Sequence, residues 1–255
     1  MGRKDHYYNK SKQEGYRSRS AYKLAQLDEA ADLLHPGETV VDLGAAPGGW
    51  LQVAAERVGP SGRVIGVDRS RIEPLDEHEV ELIRGDLTAA ETRGELRETV
   101  DGPVDLVVSD MAPNVSGEYS VDHARSVHLA RIALDIARDL LGAGGDLAVK
   151  VFDGRDLDAF REDVEDAFEY ARTVRPDATR DSSSEVYIVG KGRLTAPVEV
   201  GERLSVTIED TGSEGDGIAR VDGYTLFVPG LQVGETATVE VTDLKARFGF
   251  AEPVD

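Results

Sequence analysis

Short apolar runs alternate with longer amphipathic stretches from about residue 20 to residue 190. Apolar runs at 38–43, 63–67, 80–84, 104–109, 146–152, 171–175 and 185–189 are of strand length. The run at 104–109 is short and apolar, as expected of a strand buried on both faces of a parallel sheet. Apolar positions at helical spacing predict a helix from Ser20, its N-cap, through Leu34, with Tyr22, Leu24 and Leu27 on the inner side. A long helix is expected over 121–141, ended by Gly142-Ala143-Gly144-Gly145, and a shorter one over 157–168. Alternation of this kind predicts a doubly wound α/β sheet. The last two strands have no helix between them, which predicts an antiparallel edge hairpin.

The pattern changes after Lys191-Gly192. Strand-like runs at 203–208, 218–221, 224–228 and 236–244 are separated by glycine-rich turns, with little that looks helical. The simplest expectation is a small β-barrel. The chain then divides into an α/β domain over 1–191 and a β-barrel over 193–255.

Composition narrows the function classes. With no cysteine, disulfides, thiolate metal sites and a cysteine nucleophile are excluded, and a cytoplasmic setting is expected. The five histidines are scattered without ligand spacing, so no metal is expected. The N-terminus is polar and basic, without a signal-like apolar region, and no run is long enough to span a membrane. The net charge is −20, from 49 acids against 29 bases. Such a chain repels nucleic acid at low salt, but at about 1 M salt the Debye length falls to roughly 3 Å. A halophilic source is the reading that reconciles this charge with a nucleic-acid partner. The charge is also uneven. Residues 1–23 carry Arg3, Lys4, Lys10, Lys12, Arg17, Arg19 and Lys23 with Tyr7, Tyr8, Tyr16 and Tyr22 interleaved, a composition suited to phosphate and base contacts with RNA.

The most informative stretch is Val40-Val41-Asp42-Leu43-Gly44-Ala45-Ala46-Pro47-Gly48-Gly49-Trp50. A strand, a glycine-rich turn and a helix N-terminus form a nucleotide-type pocket. A second strand ends in Asp68, roughly the ~20-residue offset at which such folds place the acid for ribose hydroxyls. The turn is not G-x-G-x-x-G, and Asp42 repels phosphate but attracts a cation. S-adenosyl-L-methionine, with an adenosine, a sulfonium and no phosphate, fits better than a dinucleotide. The turn residues Asp42, Gly44, Pro47, Gly48, Gly49 and Trp50 are therefore candidate cofactor contacts. Ligands of open α/β sheets sit beyond the carboxyl ends of the strands. Asp68, Asp86 with Leu87 after it, and Asp110 stand at such ends, Asp86 placed to face the adenine. Lys150 lies within an otherwise apolar strand, where lysine is rare without a partner. Glu185 opens the last strand.

These stretches together resemble the FtsJ/RlmE family of ribosomal RNA 2'-O-methyltransferases. The likeness is carried by Ser18-Arg19-Ser20-Ala21-Tyr22-Lys23-Leu24, Val40 to Trp50, Ser109 to Asn114, Val149-Lys150-Val151-Phe152 and Ser184-Glu185-Val186-Tyr187-Ile188-Val189. It covers about residues 1–191. The resemblance implies a Rossmann-like methyltransferase sheet and a catalytic tetrad on Lys23, Asp110, Lys150 and Glu185. It implies cofactor contacts at Gly48, Trp50, Asp68, Asp86 and Asp110. It implies as substrate a uridine ribose in the large-subunit (23S) ribosomal RNA, free or in the assembling subunit. Gly215-Asp216-Gly217-Ile218-Ala219 and Tyr224 to Gly230 make the tail similar to a TRAM domain, a small RNA-binding β-barrel. Competing readings are the same chemistry on tRNA, a non-catalytic ribosome assembly factor, and an NAD-dependent dehydrogenase. The intact tetrad speaks against a pure binder, and the absent G-x-G-x-x-G against the dehydrogenase.

Overall fold

A computed structural model describes residues 3–75, 79–180, 183–213 and 215–254 of the chain. Of the sequence-based expectations, those on the side chains of Arg3 and Lys4 lie outside the described residues, as does Ser182.

The N-terminal part forms a seven-stranded sheet. In chain order its elements are α1 (Arg3–Gln13), α2 (Ala21–Ala31), β1 (Thr39–Leu43), α3 (Gly49–Val58), β2 (Arg63–Asp68), β3 (Glu81–Arg84), α4 (Ala90–Val100), β4 (Val104–Ser109), α5 (Tyr119–Leu140), β5 (Leu141–Phe152), α6 (Leu157–Glu165), β6 (Phe168–Val174) and β7 (Glu185–Arg193). The strand order is β3-β2-β1-β4-β5-β7-β6. The first five strands in this order are parallel, and β7 runs antiparallel to both β5 and β6. The order reverses between β1 and β4, which makes the crevice at their carboxyl ends the binding position of such a sheet.

Side chains alternate faces along each strand, so the sheet sorts them into two cores. Val41, Leu43, Val107, Leu147, Val149 and Ile188 pack under α4, α5 and α6. Val40, Leu106, Val108, Ala148, Tyr187 and Val189 pack under α2 and α3. By the same period of two, Asp42, Asp110, Lys150 and Glu185 fall on the α2–α3 face. That shared face is what later brings them to Lys23.

The doubly wound sheet and its antiparallel edge hairpin, β6–β7, are both present. β7 inserts between β5 and β6, because its apolar run is buried on both faces while β6 exposes Glu169 and Tyr170. Several boundaries differ from expectation. Phe168 leaves the expected helix and opens β6, where it pairs with Arg193 and is buried. Gly142, Gly144 and Gly145, with Ala143 among them, do not separate helix from strand. They lie within β5, at a register slip against β4, and a Cβ on Gly145 would come within 3.1 Å of the Asp105 and Val104 carbonyls. α2 starts at Ala21, and Ser20 makes no side-chain cap bond.

The basic N-terminal segment is not an open tail. α1 folds back on α2, with Tyr7 and Tyr22 rings 5.3 Å apart and Tyr16 and Tyr22 rings 5.6 Å apart. Tyr16 donates to Glu56 and Tyr22 to Glu14. Three of the four tyrosines expected to meet RNA bases thus serve the packing of this segment, and Tyr8 alone stands half exposed. An aromatic ring gains more from a partner already tethered nearby than from open solvent.

The C-terminal part is a six-stranded sheet of β8 (Arg203–Thr207), β9 (Asp210–Thr211), β10 (Gly217–Val221), β11 (Tyr224–Val228), β12 (Thr236–Leu244) and β13 (Phe248–Pro253), ordered β8-β12-β13-β11-β10-β9. Alternate residues Val206, Ala219, Val228, Val239 and Ala251 fill its concave side. The curl brings β10 against β8, giving a half-barrel rather than a hydrogen-bonded closed one. The Ala246 amide donates to Glu169 Oε1 at 2.7 Å, tying the half-barrel to β6.

Candidate active site

Four charged side chains and one phenol meet at the carboxyl ends of β4 and β5. Lys150 stands opposite Tyr187 in the β5–β7 ladder, and Phe152 stands opposite Glu185. Lys150 Nζ donates to the Asp110 carbonyl oxygen at 2.5 Å and to Asp110 Oδ1 at 2.9 Å. The Tyr187 hydroxyl donates to the same Oδ1 at 2.6 Å. Lys23 Nζ, from α2, lies 2.5 Å from Glu185 Oε1 and 3.9 Å from Asp110 Oδ1. Lys150 is 5% exposed and Lys23 9%. Buried ammonium groups need counter-charges, and here Asp110 and Glu185 supply them. Burial pushes the Asp110 carboxyl up, but Lys150, Lys23 and the Tyr187 hydroxyl outweigh it and hold Asp110 below the usual range. Asp110 therefore stays ionised at neutral pH. Tyr187 escaped the site residues expected from sequence. The signal was its place two residues after Glu185 on a strand, which sets it on the same face.

A cleft of about 620 Å³ opens on one side of this cluster. Gly44, Asp68, Asp86, Leu87 and Asp110 line it, each just at or past the end of β1, β2, β3 or β4. Asp68 accepts the Ala46 amide at 3.1 Å on one oxygen and the Ser70 amide at 2.7 Å on the other, with lone pairs left over. The Thr88 amide and hydroxyl, bonded to Asp86, hold its carboxyl below the usual value. Gly44 has φ +82°, and a Cβ there would meet Met111 at 2.7 Å. This wall requires glycine.

The other turn positions expected to contact a cofactor have protein surroundings of their own. Asp42 is buried in β1, with both carboxylate oxygens unpartnered. Gly48 and Gly49 let the segment carrying Arg17 and Ser18 approach, since a Cβ on Gly49 would meet Ser18 Oγ at 2.3 Å. The Pro47 carbonyl accepts from Arg17. Trp50 is buried, packs 5.8 Å from the Tyr187 ring and donates its indole N–H to the Ser20 carbonyl at 2.8 Å. The turn thus fixes the entry of α2, and through it the position of Lys23.

Burial first, then the charges of Asp110 and Asp68, push the Asp42 carboxyl well above its ordinary value. The sign follows by linkage. Below the unfolded pKa both states are protonated and Asp42 is neutral in its effect. Above it the unfolded state ionises while the folded state keeps its proton, so the group destabilises increasingly until the folded value is reached. Asp42→Asn is therefore expected to melt above wild type at pH 7.5, with the gap narrowing toward pH 4. Thermal unfolding at constant salt checks this, and a lower melting point at pH 7.5 would refute it.

A second cavity, of about 540 Å³, opens beyond Lys23 and Glu185. Arg19 and Arg180 also line it. Among the described residues no three or more metal-ligating side chains gather, and no helix is long and apolar enough to cross a membrane.

Residues 16–193 match the FtsJ-like methyltransferase family, and residues 197–254 match the TRAM domain. The chain is 66% identical over its whole length to the ribosomal RNA large subunit methyltransferase E of Halorubrum lacusprofundi, of which it covers 95%. It is 62% identical to the protein of that name from Haloquadratum walsbyi, over the full length of both. A crystal structure of a putative ribosomal RNA methyltransferase from Plasmodium falciparum is similar over 70% of this chain and 98% of that one, with TM-score 0.63 and 28% identity. A family match over most of the chain, two near full-length relatives and a charged cluster set between two cavities agree: this chain belongs to the FtsJ-like methyltransferase family.

Proposed function

We propose that the protein transfers a methyl group from S-adenosyl-L-methionine to the ribose 2'-hydroxyl of a uridine in large-subunit (23S) ribosomal RNA. One observation carries the reading. The Lys23–Asp110–Lys150–Glu185 cluster stands between two cavities, one suited to a nucleoside donor and the other to a nucleotide acceptor. The named relatives support the RNA class.

The donor cleft fits a cationic nucleoside. Its carboxylates, Asp68, Asp86 and Asp110, offer acceptors for hydroxyl and amino groups and charge for a sulfonium, while Gly44 keeps its wall low. Gly44, Asp68, Asp86, Leu87 and Asp110 would hold the cofactor. S-adenosyl-L-methionine would supply the methyl group as an electrophile. The chain's own residues then act on the acceptor. Lys150 Nζ, with two bonds committed to Asp110, has one position left to face a 2'-hydroxyl. From there it takes the hydroxyl proton or steadies the developing alkoxide. Asp110 and Tyr187 fix Lys150, and Glu185 fixes Lys23. Alignment of oxygen and carbon by these fixed groups supplies much of the acceleration.

The chain works as two domains, 1–191 for catalysis and 193–255 for RNA contact. The acidic tail has few cations, but Phe227, Phe248 and Phe250 pack together with the last two exposed. Stacking on such rings tolerates the high salt that screens phosphate contacts. The net charge of −20 suits a salt-rich cytoplasm. The protein is expected to unfold as KCl falls from about 3 M toward 0.1 M, where the Debye length grows from a few Å to ~10 Å and self-repulsion returns. A circular-dichroism titration checks this; a signal unchanged at 0.1 M would refute a halophilic adaptation.

The deciding assay is tritium transfer in high salt to unmodified large-subunit RNA, assembled large subunits and bulk tRNA. Label in large-subunit RNA or subunits upholds the proposal. Label only in tRNA keeps the chemistry and overturns the substrate. Cofactor binding with no label in any of them favours an assembly factor.

A further inference from the structure

The cavity beyond Lys23 and Glu185 has two kinds of lining. Arg19 and Arg180 supply positive charge. Arg19 is anchored, its Nη2 donating to the Ala178 carbonyl at 2.5 Å. Burial, then the neighbouring charge of Arg180, hold the Arg19 guanidinium below its usual value. Two cations kept this close in a chain of charge −20 define a place that an anion relieves.

The second kind is aromatic and apolar. Tyr119 is 59% exposed and Val115 69%, although both line the cavity. The Tyr119 ring is nonetheless fixed. Its hydroxyl donates to the Asp153 carbonyl, and one face stacks on His123 at 6.3 Å and 10°. His123 is buried and held at both nitrogens, by the Phe152 carbonyl at 3.0 Å and the Asp156 amide at 3.1 Å. More than half of the surface of Tyr119 is left open to solvent. Asp122, which also lines the cavity, does not oppose an anion freely, because its oxygens are taken by the Ser116 amide and hydroxyl and the Gly117 amide.

An exposed, anchored ring, a pair of guanidiniums and Lys23 of the charged cluster, all lining one cavity, match the parts of one nucleotide: base, phosphate and ribose. We propose that this cavity receives the target nucleotide, with its base stacked on Tyr119 and an adjoining phosphate between Arg19 and Arg180. Tyr119 and Arg180 then determine how firmly the ribose is presented to Lys150. This rests on the RNA ribose reading above.

The test uses the full chain, wild type, Y119A, Y119F and R180A, with large-subunit RNA varied at saturating cofactor over a KCl series. Y119A is expected to raise KM for RNA about 10- to 100-fold. Y119F, which keeps the ring but loses the bond to Asp153, should restore KM to within a few-fold of wild type. R180A should raise KM and lower the slope of log KM against log salt by about one. KM for the cofactor should not move in any variant. An unchanged KM in Y119A, or a Y119F defect as deep as that of Y119A, would overturn the stacking role. A binding readout separates this from failure of the activity itself. RNA carrying 4-thiouridine is irradiated on the wild-type protein and the crosslinked peptide identified. A crosslink to the peptide bearing Tyr119 supports the cavity even if no methyl is transferred. Methyl transfer with crosslinks only elsewhere overturns the cavity and leaves the activity standing.

Discussion

Lys150→Ala is expected to lower methyl transfer to RNA by about 10³-fold while S-adenosyl-L-methionine binding changes by no more than a few-fold. The asymmetry follows from geometry. Lys150 Nζ reaches Asp110 but is not among the groups lining the donor cleft, whereas Asp110 lines it. Removing Lys150 leaves the Asp110 carboxylate with Tyr187 at 2.6 Å and Lys23 at 3.9 Å, so the fold keeps a compensated charge. Tritium transfer measures the first quantity and calorimetric titration of the cofactor the second. Activity above a tenth of wild type would remove Lys150 from the reaction. A pH–rate profile of the wild-type protein then separates its two roles. A rate that rises with pH to a plateau marks a base; one that falls at high pH marks an ammonium donor.

Asp110→Asn is expected to damage both chemistry and stability. Asp110 is the one acceptor common to Lys150, Lys23 and Tyr187. Breaking a buried ion pair from one side costs about 3 kcal/mol, or roughly a 6–12 °C drop in melting temperature for a domain of this size. The pH dependence has the opposite sign to that of Asp42. The folded Asp110 pKa is depressed, so its stabilisation is full above the unfolded value and is lost as pH falls through the folded one. The gap between wild type and D110N should thus be full at pH 7 and close below the ordinary carboxylate range. Activity should fall by about 10³-fold, since Lys150 loses its orienting partner. Because Asp110 also lines the donor cleft, cofactor affinity should weaken too. Thermal melts from pH 7 to pH 2, with transfer and calorimetry at pH 7, check all three. A D110N protein as stable and active as wild type would mean the lysines are compensated elsewhere.

Two members of the tetrad were legible locally, while Lys23 and Glu185 entered through the family resemblance. Lys150 interrupts an apolar strand, and Asp110 follows one. The half-barrel was legible from its short runs and glycine turns, although not its incomplete closure. Asp68, Asp86 and Leu87 were legible as strand-end positions, and the structure sets them along one cleft. The glycine turn carries a second constraint that its sequence did not display: Gly48, Gly49 and Trp50 also meet the entry of α2. In sequence, close approach to a ligand and close approach to another backbone leave the same mark, a glycine.

By itself the sequence determined the α/β alternation, the change to short strands after Gly192 and the acids at strand ends, while α1, α4, β9 and β13 were not read from it. What it determined follows from periods of 2 and 3.6 residues and from turns, which are local. The tertiary structure alone decided that β7 enters between β5 and β6, that Tyr187 bonds Asp110 across 77 residues, that Asp42 is sealed without a partner, and that Tyr119 stands open on a buried histidine. Each depends on which distant segments pack together, and the free energy of that packing is a property of the assembled core rather than of any short stretch.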